Sequence, residues 1–149
     1  MSAQGYLNES LVNGIVKRTG EGAMPWSHGS FYWNELMTWD VEQAKRFYAD
    51  VLGWTFDAMP MENGTYWVIK SGETMVGGMF ELTEPEFEGV PEQWMAYIAV
   101  DDIDARLARA TDAGGTVMRP PFDVEGVGRI AIVQEPGGAG IGWMTPTDS

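Results

Sequence analysis

The 149 residues, 44% of them hydrophobic, suffice for one domain with a real core and leave no room for a second full domain. Twenty-two acidic residues against nine basic ones give a formal charge of -13, which repels phosphate backbones and anionic membranes and argues against a nucleic-acid partner. Without cysteine there is no disulfide framework and no thiolate metal site, and no long apolar run or basic-then-apolar leader appears, so a cytoplasmic protein unattached to membrane is expected.

Residues 1–30 lack sustained periodicity and read as an irregular N-terminal arm. Fold signals begin at Phe31, where FYWNELMT alternates with Trp33, Glu35 and Met37 on one face and Asn34, Leu36 and Thr38 on the other. Asp40 caps a helix with Gln43 at its third position, carrying a stripe of Val41, Ala44, Phe47, Tyr48, Val51 and Leu52 that Gly53 terminates. Three short strands follow, Trp54 to Asp57, Thr65 to Lys70 and Met75 to Leu82, separated by the turn signals Glu62-Asn63-Gly64 and Ser71-Gly72-Glu73. The acidic, proline-bounded stretch 83–93 reads as a linker.

Beyond it Trp94 to Val100 alternates again. Asp101 or Asp102 caps a helix reaching about Ala113, and Gly114-Gly115 stops it. Strands near Thr116 to Arg119, Gly128 to Gln134 and Gly140 to Met144 complete this half, leaving 145–149 as a tail. A shift of 62 residues superposes Asp40 on Asp102, Val41 on Ile103 and Gly53 on Gly115. The expected fold is therefore α+β: two repeated βαβββ modules, about 31–82 and 94–144, forming a cleft between curved mixed sheets. The cleft is the natural ligand site, and the many Trp and Met residues favour a homodimer.

The run WNELMTWDVEQAKRFYADVLGW, with WMAYIAVDDIDARLARATDAGGTV and the closing QEPGGAGIGWM, resembles the vicinal-oxygen-chelate superfamily of glyoxalases, bleomycin-resistance proteins and extradiol dioxygenases. The resemblance covers about Phe31 to Met144. It implies a divalent metal held by His or Gln on the first strand of each module and by Glu on the last strands. Here those positions fall on Trp33, Met95 and Gly142, and the 62-residue shift carries Gly142 onto Phe80, with Glu81 one residue away on the opposite face. No metal and no cofactor is therefore expected, and the resemblance is closest to metal-free, hydroxylase-like members. The lone histidine, His28, lies outside the ligand positions.

The cleft-lining set is then Trp33, Glu35, Met37, Met95, Tyr97 and Gly142. Glu35 is a carboxylate among aromatic residues, where desolvation favours its protonated form, and the shift pairs it with Tyr97; the two could move a proton or satisfy one another as a buried pair. The leading expectation is a metal-free protein that sequesters or carries a small, partly apolar organic molecule, cationic if the acidic field selects it. The alternatives are a cofactor-independent enzyme using Glu35 and Tyr97, a metal-dependent lyase, isomerase or dioxygenase, and a module that binds only another protein. Gly77-Gly78 and Gly137-Gly138 lack the Lys-Ser or Lys-Thr of a phosphate cradle and read as turn or strand-twist positions.

Overall fold

Short-range rules account for both helices. In the computed structural model, which describes residues 26–61, 64–124 and 128–147, helix α1 spans Val41–Leu52 and helix α2 spans Ile103–Asp112. Asp40 and Asp102 precede them in extended backbone, and their carboxylates accept the N–H of Gln43 at 3.0 Å and of Ala105 at 3.1 Å. Gly53 ends α1 at a φ of 70°, where a side chain would be strained, and Gly114 takes a φ of 94° just after α2.

The strands are β1 (Phe31–Thr38), β2 (Thr55–Met61), β3 (Gly64–Ser71), β4 (Thr74–Glu81), β5 (Gln93–Ala99), β6 (Thr116–Val124), β7 (Gly128–Gln134) and β8 (Gly140–Pro146). The order is βαβββ twice, as the sequence implies. Strands β2 and β6 run well past the expected Asp57 and Arg119 because each ends a strand order, where Pro60, Pro120 and Pro121 forfeit no interior ladder bond. The expected arm falls largely on residues 1–25, and the Glu62-Asn63 turn and the end of the tail also lie outside the described residues. Thr145 and Pro146, expected in the tail, belong to β8.

Among the described residues, two compact units form: Asn34–Trp94, and residues 26–33 together with 95–147. In the first, strands follow the order β2-β3-β4-β1, with β1 and β4 parallel and the other pairs antiparallel. One face of this sheet packs on α1 through Leu36, Val41, Ile69 and Met79, joined by Ala44, Tyr48, Trp54, Phe56 and Trp67. The expected helix stripe is only partly buried. Phe47, Val51 and Leu52 are more than half exposed, because the sheet meets α1 along Val41, Ala44 and Tyr48.

The second unit repeats this in the order β5-β8-β7-β6, with β5 and β8 parallel. Val100, Ile103, Leu107, Ala131 and Val133 make its helix-side core. The stretch expected as a linker is anchored: Phe87 and Val90 are buried, Trp39 Nε1 donates to the Val90 carbonyl at 2.9 Å, and Glu92 accepts from Thr38 Oγ1 at 2.7 Å and from the Trp39 N–H at 2.8 Å. No helix among the described residues is long and apolar enough to cross a membrane.

Candidate functional site

Strand parity assigns the face opposite each helix. In the first unit Leu36 and Met79 go to the helix, so Glu35 and Met37 on β1, Gly78 and Phe80 on β4, and Tyr66 and Val68 on β3 share the other face. All six are buried, Glu35 and Met37 completely. A Cβ built on Gly78 would lie 1.6 Å from the Tyr66 hydroxyl, so the phenol crosses β4 at the residue in register with Glu35. A carboxylate and a phenol thus share this unit's face, and the phenol there is Tyr66, which the sequence-based set did not include.

In the second unit Met95 and Tyr97 lie on β5, and Tyr97 is in register with Gly142 on β8. The Tyr97 ring fills the space above this glycine: an added Cβ would stand 2.2 Å from Cδ1. Because Glu35 registers with Gly78 and Tyr97 with Gly142, Gly142 corresponds to Gly78 and not to Phe80. The repeat offset widens from 62 at the caps to 64 at the last strands, which corrects the single-shift mapping and removes Glu81 as a ligand counterpart. Glu81 itself is exposed at the end of β4.

Arg119 was absent from the sequence-based set. The β6 ladder slips between Val117 and Arg119, and the extra residue, Met118, turns Arg119 away from the helix-side face held by Val117. Arg119 therefore pairs with Ile132, which pairs with Gly142, which pairs with Tyr97, forming one row across the sheet. Its guanidinium carbon lies 3.6 Å from the centre of the Phe122 ring. Burial lowers its pKa from the usual arginine value, and the neighbouring Tyr97 opposes the shift.

Trp33 has the parity of Glu35 and is fully buried. His28 stands apart: its Nδ1 accepts the Asp101 N–H at 3.1 Å, beside the Asp101–Arg106 ion pair. A separate cavity of about 370 Å³ opens on the helix side of the first unit, lined by Asn34, Trp54, Ile69, Val76, Gly77 and Trp94. Tyr48 stacks on Trp54 with ring centres 5.0 Å apart and accepts a hydrogen bond from Trp94 Nε1 at 3.2 Å. None of the residues chosen from sequence lines this cavity.

The donor set does not fit the superfamily's divalent metal. Trp33 and Met95 offer neither imidazole nor carboxylate, and the Gly142 position is filled by the Tyr97 ring. Among the described residues no three His, Cys, Asp or Glu side chains gather at one point.

A βαβββ unit used twice, with its helix on one sheet face and a tyrosine laid over a glycine on the other, defines a protein of the vicinal-oxygen-chelate fold. The family model of the Glyoxalase/Bleomycin resistance protein/Dioxygenase superfamily matches residues 31–142, and the chain belongs to that family. It is 44% identical over 112 residues to CFP32 of Mycobacterium tuberculosis, which carries a glyoxylase name, covering 74% of this chain and 42% of that protein. It is 32% identical over 123 residues to the anthracycline biosynthesis protein DnrV of Streptomyces peucetius, covering 74% and 45%. The chain thus spans less than half the length of these relatives. Among solved structures, methylmalonyl-CoA epimerase of Streptomyces coelicolor in complex with 2-nitronate-propionyl-CoA matches with a TM-score of 0.57 at 16% identity, covering 81% of this chain and 99% of that one, which is a likeness of fold.

Proposed function

We propose that this protein captures a small, partly apolar organic molecule on the strand faces opposite its helices, without a metal, and releases it unchanged. The observation that carries this reading is the Tyr97 ring over Gly142: the position of the superfamily's carboxylate is occupied by an aromatic surface. Trp33, Met37, Met95 and Tyr97 are flat or pliable side chains on those strands, all of them buried, and Glu35 is a buried carboxylate on the face of its own unit. The acidic charge favours a cationic ligand only as a long-range field. A thermal-shift screen of metabolites and antibiotics, followed by product analysis of each hit, tests the reading: stabilising compounds recovered intact support it, and turnover refutes it.

The buried carboxylate of Glu35 favours one second reading, a cofactor-independent enzyme in which Glu35 exchanges a proton. Turnover lost in Glu35→Gln with binding retained would select it. The exposed Phe47, Val51, Leu52 and Trp94 support self-association as a homodimer, which sedimentation measures directly. A cytoplasmic location is part of the same proposal and is checked by cell fractionation.

A further inference from the structure

The geometry points to a second ligand site in the first unit: the helix-side cavity takes a compact organic cation of the quaternary ammonium class, held against the rings of Trp54 and Trp94. This goes beyond capture on the strand faces, which carry none of the cavity's lining residues. The floor is formed by Asn34, Gly77 and Ile69 on β1, β4 and β3, with Gly77 and Ile69 in register. A Cβ on Gly77 would stand 2.7 Å from the Asn34 carbonyl oxygen, so the strands approach too closely for a side chain there and the middle of the floor stays bare.

The walls are aromatic. Trp54 and Trp94 stand at 79° to one another with ring centres 6.1 Å apart, and Tyr48 fixes both, stacking on Trp54 and accepting the Trp94 Nε1 hydrogen bond. Two rings set at right angles make a corner rather than a slot, which suits a rounded group more than a flat one. Local electrostatics choose its sign. No lining residue is charged, so a metal ion or bare ammonium would lose its water without gaining charged partners, whereas a methylated ammonium presents an apolar shell around a spread positive charge that aromatic faces attract. Helix α1 ends at Leu52, just before Trp54, with Asp50 and no basic residue in its last turn, so the negative end of its dipole lies beside the cavity wall. The lysines Lys45 and Lys70 are engaged elsewhere: Lys70 pairs with Asp57 at 2.7 Å, and Lys45 Nζ lies 3.7 Å from the centre of the Trp67 ring, the same kind of contact made within the chain. The net charge of -13 draws cations from a distance.

Choline and tert-butylethanol share one shape and differ in the exchange of a cationic nitrogen for carbon, and tert-butylacetate supplies the opposite charge. A proton–nitrogen NMR titration with each probe follows the indole N–H signals of the intact chain. Wild type is expected to bind choline at least about fivefold more tightly than tert-butylethanol, with Trp54 and Trp94 shifting most. Trp94→Leu, at a partly exposed position, is expected to bring that ratio to within about twofold of unity, and Trp94→Phe to retain part of it. Circular dichroism and melting of both variants verify the fold. Equal or tighter binding of the alcohol or of tert-butylacetate by wild type overturns the inference, as does an unchanged choline preference in Trp94→Leu. Choline shifts confined to other indoles, or saturable binding of none of the probes, also overturn it. Capture on the strand faces is decided separately by the thermal-shift screen.

Discussion

The hydroxyl of Tyr66 lies where a side chain on Gly78 would begin, 1.6 Å from the position of its Cβ. Gly78→Ala must therefore displace a fully buried ring and is expected to cost about 1–3 kcal/mol in urea unfolding. Combining it with Tyr66→Phe should recover part of the loss, since the nearest atom is gone while Cζ, at 2.2 Å, still obstructs. Full additivity of the two substitutions would contradict the packing.

Restoring the superfamily's carboxylate with Gly142→Glu is expected to destabilise the fold by about 2 kcal/mol or more, because the new Cβ meets Tyr97 Cδ1 at 2.2 Å. In a Tyr97→Ala background the penalty should shrink. Neither protein is expected to retain stoichiometric zinc, manganese, iron or nickel after purification without a histidine tag, as elemental analysis will show, because Trp33 and Met95 still lack donors.

Each helix cap can be removed separately. Asp40→Ala and Asp102→Ala are each expected to lower stability by about 1 kcal/mol, and replacement by Asn or Ser should restore most of it. Equal stability of the Ala and Asn variants would show that the caps contribute nothing measurable.

Glu92 links acid stability to the fold. The hydrogen bond from Thr38, followed by that from the Trp39 N–H, lowers its pKa below the usual glutamate range. A carboxyl group lowered in the folded state stabilises above its unfolded pKa, and that contribution is lost as pH falls through the folded value. Melting temperature should therefore fall less steeply below about pH 4.5 in Glu92→Gln than in wild type, starting from a lower value at neutral pH. Parallel acid limbs would refute the assignment.

Much of the fold was legible because its signals are local: Asp before each helix, glycine after it, and alternation in FYWNELMT. Parity alone separated Glu35 and Met37 from Leu36, and the residues chosen for a cleft lining are buried on their strands. Arg119 was missed because strict alternation puts it with Val117 on the helix face, and only the bulge at Met118 reverses it. A bulge in a proline-containing strand depends on pairing with its neighbour, so it left no periodic trace in TVMRPPFDV. The two-residue widening of the repeat was hidden for a similar reason: loops absorb insertions without changing the strand patterns on either side.

The Tyr97–Gly142 contact also fixes the order in which this protein could change its chemistry. A carboxylate at position 142 is disfavoured while the tyrosine is present, and losing the tyrosine first opens a void in a buried layer. Each single step is unfavourable, although the pair together need not be. The contact acts as a ratchet: loops and rim residues vary freely, while positions 97 and 142 change only together.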